Sequence, residues 1–261
     1  MQKFSLSVAR IEMLRECSGD SILGAVGTAF FYRDRGKPYL VTNWHNVTGL
    51  NSETGKALHS KGLFPNVLRL HYKRWSDEDK THAQSQELIL PLYVDGNATW
   101  FEHSSRSAVD VVAMPLIEPA DFANVYINEI EQEQRLEPQA GMDCLILGFP
   151  EGLFGAAFTP IWKRGSIAAE PFQEHPYYID SATRRGMSGS PVIIRHNGIF
   201  GLVGAKLTGS EIIGTVERFV AIYSGRIGND ELGGQLGRAW QAHVLTDVLS
   251  LATPGMHPLL N

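Results

Sequence analysis

Arg184-Arg185-Gly186-Met187-Ser188-Gly189-Ser190-Pro191-Val192 sets one serine between glycines, directly before an apolar run. A nucleophilic serine must stand exposed on a tight turn whose backbone N–H groups face a developing oxyanion. Glycine permits both that backbone and the close approach. The bare Gly-x-Ser-Gly pattern also occurs in loops without chemistry, so Ser188 needs partners elsewhere in the chain. Ser190 is the rival nucleophile, but it lies two residues further on and beside Pro191.

Working upstream, Tyr39-Leu40-Val41-Thr42-Asn43-Trp44-His45-Asn46-Val47 puts a histidine just after an apolar strand and before a turn. An imidazole there can serve as general base, because the free side chain is neutral above about pH 7. Further on, Ser107-Ala108-Val109-Asp110-Val111-Val112-Ala113-Met114-Pro115 opens an apolar strand with a single carboxylate. Period-two reading puts Asp110 on the face of Val112 and Met114, which points it toward burial. A buried acid needs a hydrogen-bond donor, and a histidine N–H is suitable. Asp95 sits in an Asp-Gly turn and Asp121 in a polar connection, so both are poorer candidates.

An α/β-hydrolase arrangement would need glycine at 190 and a histidine after the serine; only His196, His243 and His257 follow, none in a comparable motif. His59, His71, His82, His103 and His175 show no paired metal-ligand spacing, so no metal is expected.

Around these segments, short apolar runs rich in Val, Ile, Phe and Tyr alternate with turn residues and read as strands. The first half offers 24–32, 38–43, 66–75, 87–93 and 110–116. The second offers 143–148, 158–169, 177–181, 190–195, 198–207 and 218–224. Asp95-Gly96-Asn97 and His196-Asn197-Gly198 read as hairpin turns. An acidic stretch holding Glu129, Glu131, Glu133 and Glu137 reads as a surface connection, and Trp240, Val244, Val248 and Leu251 fall on one helical face ended by Pro254 and Gly255. The expected class is all-β. The expected division is residues 1–118 with His45 and Asp110, a connection at 119–139, residues 140–235 with Ser188, and a helix and tail at 236–261.

Composition is ordinary for a globular chain: 261 residues, 43% hydrophobic and 20% charged, which excludes disordered and fibrous classes. A net charge of −5 gives no global attraction to nucleic acid or an anionic membrane. The run 21–32 is too short to span a bilayer and poorly flanked for a signal peptide. Cys17 and Cys144 are too few for a disulfide framework, and the expected location is cytoplasmic.

Taken together, the three segments resemble the chymotrypsin-like (trypsin-fold) serine peptidases, in the order His, Asp, Ser. The likeness lies in Gly27-Thr28-Ala29-Phe30, Leu40-Val41-Thr42-x-x-His45, Asp110-Val111-Val112-Ala113 and Gly186-x-Ser188-Gly189-x-Pro191. The run from Gly141 through Gly148-Phe149-Pro150-Glu151-Gly152 is similar to the start of the second barrel in bacterial members. The motifs stand 65 residues apart from His45 to Asp110 and 78 from Asp110 to Ser188, and the likeness spans roughly residues 20–225.

The resemblance implies two six-stranded antiparallel β-barrels with a C-terminal helix, in a bacterial-type member without a PDZ module. It implies a serine endopeptidase acting through an acyl-enzyme, with no cofactor, on a polypeptide substrate. Ser188 is then the nucleophile, His45 the general base and acid, and Asp110 the residue that orients the imidazole. The N–H groups of Gly186 and Ser188 form the oxyanion hole. The alternative is a latent or pseudoprotease module that binds without turnover.

The chain departs from mammalian-type members at Asn46, where they carry cysteine, at Met187, where they carry the acid that pairs with a freed N-terminus, and at Ser190, usually glycine. Activation by that ion pair is therefore not expected, and narrow specificity or a regulatory partner is. The resemblance walls the substrate pocket with 180–185 and 203–206, which gives Ala182, Arg185, Gly204 and Lys206 as substrate-binding residues. Arg184, Arg185 and Lys206 either favour an acidic side chain before the cut or are simply solvated loop charges.

Overall fold

In the computed structural model, residues 1–17, 20–80, 82–172, 175–202, 209, 211–227 and 235–256 are described. A four-residue helix α1 (Lys3–Leu6) leads into β1 (Val8–Cys17), β2 (Asp20–Asp34) and β3 (Lys37–Thr42); one helical turn, α2 (Trp44–Thr48), follows at once. Then come β4 (Val67–Trp75), β5 (Ala83–Pro91), β6 (Tyr93–Val94), β7 (Asn97–Ala98), β8 (Phe101–Glu102) and β9 (Val112–Pro115). The second half holds β10 (Asp143–Gly148), β11 (Ile161–Ile167), β12 (Tyr177–Asp180), β13 (Pro191–Phe200), β14 (Ile212–Arg226) and β15 (Leu236–Gln241). Helix α3 (Val244–Leu251) and β16 (Thr253–Pro254) close the chain.

β10 to β15 form a closed six-stranded barrel in the order β10-β11-β12-β15-β14-β13. The first half differs from the expected six strands: it is an eight-stranded sheet in the order β16-β8-β9-β3-β2-β1-β4-β5, to which the C-terminal segment adds an edge at β8. β1 is not among the strands expected from the sequence, because its charges interrupt the apolar pattern that marks a strand. In the sheet they are paired across strands: Arg10 lies opposite His71 and Glu12 opposite Arg69, and Glu12 bonds both Arg10 and Arg69.

Two turn readings part company. Asp95 and Gly96 have φ of 51° and 78°, the positive pair that a tight two-residue hairpin requires, and they join β6 to β7. His196-Asn197-Gly198 does not turn: these residues continue β13 opposite Val216, Thr215 and Gly214 of β14, and the chain reverses only between Phe200 and Ile212. Part of the expected strand 198–207 lies outside the described residues.

The expected helix and tail at 236–261 is corrected at its start. Residues 236–241 pair with β12 and β14 and complete the barrel, because alternate positions Gly237, Ala239 and Gln241 are buried and their neighbours are not. Trp240 therefore lies on a strand, while α3 buries Val244, Leu245 and Val248 and leaves Leu251 exposed. That face enters an apolar cluster shared by both halves, with Phe30, Val41 and Ala113 from the sheet and Leu147, Phe149, Ile193 and Ile222 from the barrel. Separate clusters fill the sheet side, around Ile11, Phe31, Leu70 and Trp100, and the barrel, around Cys144, Ile146, Met187 and Val192. Burial pushes the Cys144 thiol up to about 12, so it behaves as an inert core group, whereas Cys17 is exposed.

Candidate active site

The three motif residues converge on one cleft. β3 ends at Thr42, Asn43 stands at the start of α2, and His45 is the second residue of that turn. Asn43 does not cap its own helix; its side-chain amide donates to the Asp110 carbonyl at 2.7 Å. Asp110 lies two residues ahead of β9, which pairs with β3, so adjacent strands deliver the acid beside the histidine.

The Asp110 carboxylate is 2% exposed, and its charge is met by donors on both oxygens. Oδ1 accepts the His45 backbone N–H at 2.9 Å, and Oδ2 accepts His45 Nδ1–H at 2.7 Å. Because a carboxylate only accepts, this contact assigns the proton to Nδ1 and leaves Nε2 with a lone pair. Oδ2 also accepts the Ser224 hydroxyl at 2.5 Å. Behind the histidine, the Trp44 indole N–H donates to buried Glu102 at 3.1 Å, which anchors α2 to β8. Burial holds the Glu102 carboxyl above the usual range, with Trp44 and Arg106 acting in the opposite sense.

Ser188 lies in the turn between β12 and β13. The flanking glycines Gly186 and Gly189 have φ of +89° and +88°. A Cβ on Gly189 would fall 2.0 Å from the Thr28 carbonyl oxygen, and one on Gly186 2.2 Å from that of Phe149, so no other residue fits either place. The Ser188 carbonyl accepts Thr28 N–H at 2.9 Å and the Asn46 amide at 3.2 Å, which ties this turn to β2 and α2. The Ser188 hydroxyl donates to the Ser224 carbonyl at 3.5 Å. Ser190 is fully buried: a Cβ on Gly148 would come within 2.1 Å of its Oγ, so the rival hydroxyl faces the barrel core.

His45, Asp110 and Ser188 line one open cleft of about 230 Å³, together with Leu58, Ser224, Gly225, Arg226, Ile227 and Arg238. Glu53, from the loop after α2, forms an ion pair with Arg238 of β15 in this lining and joins the two halves there. Neither Ala182 nor Arg185 is among the lining residues. Ala182 is half-buried between Ser181 and Thr183, both hydrogen-bonded into the barrel. Arg184 and Arg185 are exposed. Gly204 and Lys206 lie outside the described residues. Ser224, Gly225 and Arg226, at the end of β14, line the cleft beside the three motif residues. Ser224 was the site residue that sequence reading missed; a Ser-Gly pair at the end of an apolar strand was its only sign.

A family model for the trypsin-like peptidase domain matches residues 27–202, which takes in all three motifs. No curated protein matches the chain. Among the described residues, no helix is long and apolar enough to cross a membrane.

Proposed function

The chain belongs to the trypsin-like peptidase family, and from that premise we propose that it is a serine endopeptidase with Ser188 as nucleophile, His45 as general base and Asp110 as its orienting acid. The observation that carries this reading is the two-point grip of Asp110 on His45, through Nδ1 and the backbone N–H, beside Ser188 in one cleft. As Ser188 Oγ bonds to the carbonyl carbon of the substrate, His45 Nε2 takes its proton. The resulting imidazolium sits against the buried carboxylate and then protonates the leaving amine as the C–N bond breaks. Water, deprotonated by the same nitrogen, opens the acyl-enzyme and restores the serine. The N–H groups of Gly186 and Ser188 are assigned to the oxyanion formed at each addition.

The same proposal takes the His45–Asp110 half, residues 1–118, and the Ser188 half as two lobes meeting at the cleft, and places the protein in the cytoplasm on the strength of its two unpaired cysteines. Arg226 and Arg238 replace the loop arginines as the cations that an acidic substrate side chain would meet. The Glu53–Arg238 ion pair supports narrow specificity, since a peptide filling the cleft must pass or part it. A latent binding module is the second reading; the bond from Ser188 Oγ to Ser224 O, in place of one to His45, favours it.

Hydrolysis of a mixed library of quenched-fluorescence peptides tests the choice. The endopeptidase reading expects cleavage by the wild type and a fall of about 10⁴-fold or more in Ser188→Ala and His45→Ala, which act as one unit. Cleavage undiminished in Ser188→Ala, or none by the folded wild type, contradicts it.

A further inference from the structure

The oxyanion site depends on where the Gly186 N–H points, and glycine by itself does not hold a peptide plane. No ion pair is available at the next position: Met187 is fully buried among Cys144, Ile146 and Val192. The bonds around Gly186 converge instead on one side chain from the other half of the molecule. Thr28, fully buried in β2, donates its hydroxyl to the Gly186 carbonyl at 2.7 Å. The same oxygen accepts the Phe149 N–H at 3.2 Å.

Phe149 begins the tight turn through Pro150, Glu151 and Gly152, and the Glu151 N–H of that turn donates to the Arg185 carbonyl at 2.7 Å. Because the C=O and N–H of one trans peptide point in opposite directions, fixing Arg185 O fixes the Gly186 N–H. Fixing Gly186 O holds the following peptide. The backbone N–H of Thr28 also holds the Ser188 carbonyl, at 2.9 Å. One threonine thus binds the glycine carbonyl, the serine carbonyl and the turn that restrains the Arg185–Gly186 peptide.

We propose that Thr28 is a positioning residue for the oxyanion site: its hydroxyl holds the peptide after Gly186 directly and the one before it through Phe149 and its turn, and so holds the site open without a zymogen-type ion pair. This role rests on the endopeptidase reading. It acts on the transition state rather than on substrate affinity, because the developing negative charge is what the N–H groups meet.

The test is steady-state peptide hydrolysis by wild type, Thr28→Val and Thr28→Ser, with thermal melts to establish that each variant is folded at the assay temperature. Valine keeps the shape and removes the hydroxyl; serine keeps the hydroxyl. Thr28→Val is expected to lose roughly 10- to 100-fold in kcat, part of what a lost oxyanion donor costs, with KM within about threefold. Thr28→Ser is expected within about threefold of wild type in both constants. Should Thr28→Val not fold, Thr28→Ala is held to the same criteria. A folded hydroxyl-free variant with undiminished kcat, or a serine variant as impaired as valine, overturns the proposal. A wild type with neither turnover nor a fluorophosphonate adduct overturns the endopeptidase reading itself, and this role with it.

Discussion

On the sheet side of the cleft, Asp110 is held by hydrogen bonds: the His45 N–H and Nδ1–H, the Ser224 hydroxyl, and Asn43 on its carbonyl. On the barrel side, Ser188 is held by backbone shape: glycines at positive φ pressed against carbonyls of the facing strand and turn. The two modes suit the two tasks. An acid–base pair must keep a tautomer and a charge, and only directed hydrogen bonds do that. On the proposed reading a nucleophile must be presented with its N–H groups aimed outward, which takes backbone dihedral angles that glycine permits, and the Thr28 hydroxyl on the Gly186 carbonyl then holds them.

The comparison breaks most sharply at Asp110→Asn. The amide leaves the fold intact but offers a donor where an acceptor is needed, and the histidine takes the wrong tautomer. Peptide hydrolysis should fall about 10⁴-fold, as the general triad scheme has it, with little change in melting temperature. On the barrel side the largest response should be in stability. Gly189→Ala puts a methyl 2.0 Å from the Thr28 carbonyl at a φ of +88°, and should cost at least about 3 kcal/mol by urea unfolding. Gly36→Ala, at a φ of +79° with open space around it, should cost only about 1 kcal/mol. Equal losses would mean that positive φ alone, and not the pressed carbonyl, constrains position 189.

Ser224→Ala sharpens the sheet-side account with the smallest effect. It removes one donor from a carboxylate that keeps two others, so kcat/KM should fall about 10-fold, the equivalent of about 1.4 kcal/mol. A loss as large as that of Asp110→Asn would show that Ser224, and not His45, is the main partner of the acid.

The same contrast explains what the sequence made legible. Ser188 and its glycines are a local motif because backbone shape is set by neighbouring residues, and His45 and Asp110 sit just after one apolar strand and just before another. Ser224 was hidden because its partner lies 114 residues away and nothing local marks it. One turn was misplaced: His196-Asn197-Gly198 has turn composition, but long pairing with β14 overrides it. β15 was hidden because an apolar residue, Trp240, fits both the helical face that follows and the strand it belongs to. β1 was hidden because charges that pair across strands interrupt the apolar pattern when read along one chain.

The central claim is that Asp110, His45 and Ser188 form one working nucleophile. Its most direct measurement is intact mass after incubation with a fluorophosphonate, on the wild type and on the Ser188→Ala and His45→Ala variants. The account predicts a single adduct on the wild type and none on either variant. A folded wild type that takes no adduct, or a Ser188→Ala protein that still takes one, would contradict it.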